Sequence, residues 1–358
     1  MATDGRGAGW AAALAVAALI APALWAADGA AGAEPEDIGL VASLDQGNMA
    51  ATIAALQGFG SREFHLGSAM EAAEFLHGSF EGFGAEVEHQ YFAVGDALVS
   101  NVVATIPGSG GDGMYLFGAH YDSENSGASD LSSAENLSAP GADDDASGVA
   151  AVLEIARVLS GAHLPWTVKF VMFGAEEYGY DDSGGCKGSE YFVKVEEALG
   201  HTYAGTAVLD MVGYRAGEDN RAVLVLNDGE DALARSVAGA VDAFGVDLSL
   251  EALVEPDITF SDHGSFWDAG IPSMLVIEEL GDRDFPVNPY YHTAADTLET
   301  LAMDQVEAVA EALLGGLLLM DDDGGADLLL FGTVIMSAAT VSVALYIHFR
   351  RRRGRASG

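Results

Sequence analysis

A mostly parallel central sheet flanked by helices on both faces is the α/β fold that this sequence predicts, and two patterns predict it. Short apolar runs at 114–117, 167–173, 206–210, 222–226 and 273–277 read as buried strands. Between them, residues 148–160, 231–245 and 303–320 repeat apolar side chains at helical spacing. Alternation of this kind joins parallel strands through helical crossovers, and the helices then cover both faces.

Taken in chain order, the elements divide the sequence into unlike parts. Arg6, an apolar run at 10–26 and the small residues Ala31-Gly-Ala33 read as an export signal over residues 1–33, either cleaved or kept as an anchor. Residues 34–320 form one catalytic-size unit without repeats. Its lead-in at 38–90 reads as mainly helical and its 91–106 stretch as extended. A short acidic linker follows at 321–327, built on Asp321-Asp-Asp-Gly-Gly325. Residues 328–349 carry no Asp, Glu, Lys or Arg. At about 22 residues that run is long enough to cross ~30 Å of hydrocarbon as a transmembrane helix. The basic tail at 350–358 opens with Arg350-Arg-Arg-Arg353, which places it in the cytoplasm and the large unit outside the cell membrane.

Charge narrows the function classes. The net charge is −40, and five of the 15 basic residues lie in the basic tail. Residues 34–326 hold 9 basic against 52 acidic side chains, which excludes a nucleic-acid partner. Such a surface repels itself in dilute salt and stays dissolved in concentrated salt, the habit of a halophile, with a marine or merely acidic proteome as the alternative source. Cys186 is the only cysteine, so no intrachain disulfide forms. Asn136-Leu-Ser138 is a glycosylation sequon in a polar loop.

The chemistry gathers in four short motifs. Gly118-Ala-His-Tyr-Asp-Ser123 ends one strand and Gly141-Ala-Asp-Asp-Asp-Ala-Ser-Gly148 opens a helix. Glu176-Glu177 follows a strand, and His292 lies in Asn288-Pro-Tyr-Tyr-His-Thr293. Histidine with several carboxylates is ligand chemistry for a divalent metal such as zinc. Any one acidic cluster is equally a solvated surface, and the joint pattern after apolar strands is what points to a metal. In open α/β sheets the ligand site lies at the carboxyl ends of the strands, where His120, Glu176, Glu177 and Asp210 all fall.

Together with Leu209-Asp-Met211, Ser261-Asp-His263, Ala269-Gly-Ile-Pro272 and His292-Thr-Ala-Ala-Asp-Thr297, these motifs resemble the co-catalytic zinc aminopeptidase family. That family includes bacterial leucyl aminopeptidases and is related to glutamate carboxypeptidase II and the glutaminyl cyclases. The resemblance runs from about 61 to 318. It implies two zinc ions per chain, with Asp144 bridging both, Glu177 and His292 completing one site, and His120 and Asp210 the other. Three ligand carboxylates then offset three of the four metal charges, and a metal-bridging hydroxide offsets the fourth. Glu176 is implied as the general base and Asp122 as the carboxylate behind the His120 imidazole. A cis peptide between Asp144 and Asp145 is also implied. Asp143 and Asp145 are bridge neighbours or helix caps, with Asp145 read as a cap. Asp262 and His263 are structural, or lie behind the ligands. Glu278 and Glu279 are either solvated or meet a substrate ammonium group.

The reading is a membrane-tethered extracellular aminopeptidase acting on peptides, held to the lipid bilayer by its C-terminal helix. A carboxypeptidase or dipeptidase on the same scaffold would need a cation for the terminal carboxylate, and only Lys187, Arg215 and Arg283 lie near the motifs. A glutaminyl cyclase would use one zinc, and a non-catalytic ectodomain would be expected to lack ligands. The loop at 178–187 extends the stretch after Glu177 and would sit at the rim of the pocket.

Overall fold

The computed structural model describes residues 33–110, 114–177, 185–228, 231–281 and 287–320. The export signal, the linker, the apolar run at 328–349, the basic tail and most of the 178–187 loop lie outside these residues. Among the described residues no helix is long and apolar enough to cross a membrane.

Three helices lead in: α1 (Pro35–Val41), α2 (Gln46–Gly58) and α3 (Gly67–Phe83). They are followed by a hairpin of β1 (Glu86–Val94) and β2 (Ala97–Ile106), so the extended stretch begins five residues earlier than its residue pattern suggests. The core then alternates through β3 (Met114–His120), the short α4 (Leu131–Asn136), α5 (Ala146–Leu159), β4 (Thr167–Phe173), α6 (Lys187–Leu199) and β5 (Gly205–Leu209). It continues with β6 (Arg221–Leu226), α7 (Ala232–Phe244), β7 (Ser249–Val254), α8 (His263–Asp268), β8 (Met274–Ile277) and α9 (Met303–Leu318).

Local chemistry sets many of these boundaries. Asp45, Asp130, Asp145 and Asp231 cap α2, α4, α5 and α7, each carboxylate accepting backbone N–H groups of the first turn. Gly84, Gly200 and Gly245 stop α3, α6 and α7 in the left-handed conformation that glycine adopts without strain.

The eight strands form one sheet in the order β1-β2-β4-β3-β5-β8-β6-β7. The stretch β4-β3-β5-β8 is parallel, as is β6 with β7. The β1–β2, β2–β4 and β6–β8 pairings are antiparallel, so the sheet is mixed, and its parallel part is the centre. The hairpin adds its two strands to one flank of the sheet, which needs no crossover helix.

Both faces are covered. One packs Phe117, Phe170, Ala207 and Val276 under α2, α5, α7 and α9. The other packs Leu116, Val171, Phe173 and Val208 under Phe192 of α6 and Phe266 of α8. From β3 the chain crosses through α5 to β4 on one side, then through α6 to β5 on the other side of β3. That reversal opens a crevice at the carboxyl ends of the central strands.

Candidate active site

His120 is the last residue of β3, Glu176 and Glu177 stand three and four residues beyond β4, and Asp210 directly follows β5. These three strands are adjacent and parallel, so they deliver the four side chains to one end of the sheet. Asp144 comes from the loop that enters α5, and His292 from the turns before the 3-10 turn Leu298–Thr300.

Asp144 joins the two histidines. Its Oδ1 lies 3.0 Å from His120 Nε2, and its Oδ2 lies 3.0 Å from His292 Nε2. His292 Nε2 is also 3.0 Å from Glu177 Oε2, and His120 Nε2 is 3.6 Å from Asp210 Oδ1. The centre therefore falls into two overlapping groups, Asp144 with His120 and Asp210, and Asp144 with Glu177 and His292. Glu176 Oε2 stands 3.9 Å from His120 Nε2, beside both. All six of the side chains expected to ligate or to act as base converge.

The surroundings are buried and acidic. Asp122, Asp143, Asp144, Asp145, Glu176, Glu177, Asp210, Asp262, Glu278 and Asp296 are all buried, and Arg62 is the one buried arginine among the described residues. Burial raises the carboxyl of Glu177 to about 8, with the charge of Asp144 adding to it. Burial likewise drives Glu176 well above the carboxylate range. Burial also opposes ionisation of Asp144, but the His120 and His292 imidazoles outweigh it and hold that carboxyl below its ordinary value. For His120, burial disfavours the cation, yet the charge of Glu176 and bonds to Asp122, Asp144 and Asp210 push the ring well above its ordinary value.

A pair of divalent ions fits this donor set. His292 Nε2, Asp144 Oδ2 and Glu177 Oε1 are buried and have no hydrogen-bond partner, although His292 Nε2 and Asp144 Oδ2 are 3.0 Å apart. Nitrogen and oxygen donors crowded this closely in a buried place, outside hydrogen-bond geometry, are placed as metal ligands are. The donors are imidazole nitrogen and carboxylate oxygen, which suit zinc.

The backbone around the centre is held in unusual conformations. The non-glycine residues with positive φ among the described residues are Ala175, Cys186, Met211 and His292. Ala175 precedes Glu176, Met211 follows Asp210, and the Cys186 N–H donates to the Glu176 carbonyl at 2.8 Å. Such outliers persist where the surrounding structure over-determines them. The Asp144–Asp145 peptide is cis. Gly141 also has positive φ, and a Cβ there would come within 2.4 Å of the Asp144 carbonyl oxygen.

Several neighbours do what the sequence suggests, and others do not. Asp145 caps α5 by accepting the Gly148 N–H at 2.9 Å. Asp122 uses its carboxylate chiefly on the backbone N–H groups of Glu176 and Glu177, at 3.1 and 3.2 Å. His120 Nδ1 instead faces the Asp122 backbone carbonyl at 3.2 Å, with Asp122 Oδ1 at 3.8 Å. Glu278 is not solvated: it is buried, accepts the Tyr214 N–H and lies against Asp143, while Glu279 stays near Arg221 at the surface. His263 is buried with Nε2 on the Ile258 carbonyl, and burial lowers its imidazole to about 4.

Three contributors were given no role by the motifs. Arg62 is fully buried and donates to the carbonyls of Leu56, Tyr121, Pro140 and Gly141, tying the His120 loop to the Asp144 loop. Asp296 accepts the backbone N–H groups of Asp143 and Asp144, at 2.9 and 3.2 Å. Glu124 meets His292 Nδ1 at 2.9 Å. Asp296 and Glu124 lie inside or beside the quoted motifs, so proximity was the available clue; Arg62 had none.

Residues 101–316 match Peptidase family M28. Leucine aminopeptidase 1 of Fusarium vanettenii is 26% identical over 289 residues, which is 76% of this chain and 69% of that protein. A zinc aminopeptidase from Bacillus subtilis superposes with a TM-score of 0.63 at 17% identity, over 76% of this chain and 94% of that one. A glutaminyl cyclase from Bacteroides thetaiotaomicron superposes with a TM-score of 0.62 at 22% identity, over 76% and 97%. At those identities the structural likeness establishes the fold, which both kinds of enzyme share.

Proposed function

The chain belongs to Peptidase family M28, and from that premise we propose that it is a zinc-dependent metallo-aminopeptidase that removes residues from the free N-termini of peptides. The observation that carries the reading is the position of Asp144, with one carboxylate oxygen 3.0 Å from each histidine. His120 and Asp210 would hold one zinc with it, and Glu177 and His292 the other. Two zinc ions there would polarise the scissile carbonyl and acidify a water between them.

The protein's own groups then handle orientation and protons. Glu176 takes the proton of the attacking water and delivers it to the leaving amine. Asp122 holds the Glu176 and Glu177 backbones, so base and ligand keep one relative position. Asp296 does the same for Asp144. The crowd of carboxylates attracts the ammonium group of a peptide N-terminus. Of the three cations near the motifs, Arg283 lies outside the described residues, and the two described ones are already engaged: Lys187 with Glu190 at 3.1 Å, and Arg215 with Asp304 at 2.6 Å.

The catalytic unit is held at the outer face of the cell membrane by residues 328–349, with Arg350-Arg-Arg-Arg353 on the cytoplasmic side. The length and charge asymmetry of that run support this part of the reading.

One assay set tests the reading. The full chain, in high salt, is given matched peptides with free and acetylated N-termini and N-terminal glutaminyl peptides, alongside metal analysis. Two zinc equivalents and cleavage confined to free N-termini are expected. Equal rates on acetylated peptides would reject the aminopeptidase, and pyroglutamate as the product would replace it with a cyclase. Protease shaving of intact cells should release the catalytic unit; its protection would reject the outward orientation.

A further inference from the structure

The two histidines of the centre are anchored differently on the side away from it. His120 Nδ1 makes its close contact with a neutral group, the Asp122 carbonyl at 3.2 Å, and the Asp122 carboxylate stands further off at 3.8 Å. His292 Nδ1 faces an anionic one, Glu124 Oε1, at 2.9 Å. We propose that Glu124 is a positioning residue for His292, which directs the ring's Nε2 lone pair at the metal and strengthens the His292–Glu177 half of the centre. The proposal rests on the two-zinc reading above.

Geometry supports it from three directions. A carboxylate that accepts the Nδ1 hydrogen selects the tautomer whose Nε2 is free to ligate, and makes that nitrogen more basic. His292 Nε2 points at Asp144 Oδ2 and Glu177 Oε2, 3.0 Å from each, without a hydrogen bond to either. Glu124 is itself held in place. Ser123 before it accepts the Arg62 N–H and donates to the Ala139 carbonyl, at 3.0 and 2.8 Å. Ser126 after it donates its backbone N–H and its hydroxyl to the His292 carbonyl, both at 3.3 Å. The loop and the His292 turn are thus laced together at backbone and side chain.

The test is a zinc titration of the metal-stripped full chain against a chromophoric chelator. Wild type should bind two equivalents. Glu124→Ala should weaken one equivalent by about 10- to 100-fold and leave the other within about twofold. Glu124→Gln should recover much of that loss, because its amide oxygen still accepts the Nδ1 hydrogen. Glu135→Ala, at an exposed position on α4, should match wild type. Both equivalents unchanged in Glu124→Ala would overturn the assignment and leave the zinc reading standing. A wild type that binds no zinc would overturn both. A second measurement needs no variant: in zinc-loaded protein labelled with ¹⁵N-histidine, the His292 hydrogen should reside on Nδ1, and a hydrogen on Nε2 would overturn the proposal.

Discussion

The carboxylates behind the ends of β3, β4 and β5 and those spread over α3 and β1 belong to the same two residue types in opposite surroundings. Glu71, Glu74, Glu81, Glu86 and Glu88 are exposed, and each can be solvated independently. Asp122, Asp143, Asp144, Asp145, Glu176, Glu177 and Asp210 are buried together with one arginine nearby, and water cannot compensate their charge. Isolated buried anions are expensive, so such a group must be hydrogen-bonded, protonated, or matched by cations. A third solution appears at Lys169 of β4, whose Nζ lies 2.7 Å from both oxygens of Glu196 on α6. The difference teaches where function can reside in a strongly acidic chain. Convergence in a buried place carries it, whereas the number of acidic residues does not.

The sharpest break in this comparison is Asp144→Ala, which removes the carboxylate shared by both histidines. Both zinc ions and nearly all activity should be lost together, as read by metal analysis of the purified variant. Retention of two equivalents would mean that another group bridges.

Glu176→Gln comes next. It removes the proposed base while leaving the proposed ligands, so turnover should fall by about two to four powers of ten with the zinc content unchanged. Near wild-type turnover would assign the proton transfer elsewhere.

Lys169→Met tests the buried anion that has a protein cation. It strands Glu196, and unfolding free energy should drop by about 3–5 kcal/mol, measured by denaturant titration. Burial tends to raise the Glu196 carboxyl, but the bonds from Lys169, Tyr203 and His201 outweigh it and lower the net value. The pair's stabilisation is therefore present above the ordinary glutamate value of ~4.3 and is lost as pH falls through the lowered folded value. In Lys169→Met that acid-side loss should be smaller. An unchanged acid limb would assign the effect to packing alone.

The exterior should respond least to single changes and most to salt. Glu81→Gln on α3 should alter stability by no more than about 0.5 kcal/mol. The melting temperature at fixed zinc should nevertheless rise with KCl, because the screening length shrinks from ~30 Å at 0.01 M to ~3 Å at 1 M. A flat profile would remove the halophile reading and leave the interior untouched.

Much of this molecule was legible in the chain itself. The strands β3, β4, β5, β6 and β8 are short buried apolar runs, and α5, α7 and α9 keep helical spacing, so period alone finds them. β7 escaped because it is an edge strand with alternating exposed and half-buried residues. α6 escaped because its buried face mixes Phe192 and Val193 with Gly188, Ser189 and Glu196, so the apolar period is blurred. His120, Glu176, Glu177 and Asp210 were legible because their motifs sit at strand ends, where a parallel sheet presents its site, and Asp144 and His292 because their motifs resemble those of the family.

What the sequence by itself determined is therefore the identity of the converging groups: His120, Asp144, Glu176, Glu177, Asp210 and His292, each carried by a local pattern of a few residues. What only the tertiary structure decided is how they are held. Arg62 reaches the Tyr121 and Gly141 carbonyls across 59 and 79 residues of chain. Asp296 reaches the Asp143 backbone across 153. Glu124, the orienting contact proposed for His292, comes from a loop whose position follows from where β3 enters the sheet. The physical reason is range. Periodicity and capping arise from neighbours along the chain and leave a trace in its spelling. A buried hydrogen bond between distant segments depends on the packing that brings them together, and either partner alone reads as an ordinary polar residue.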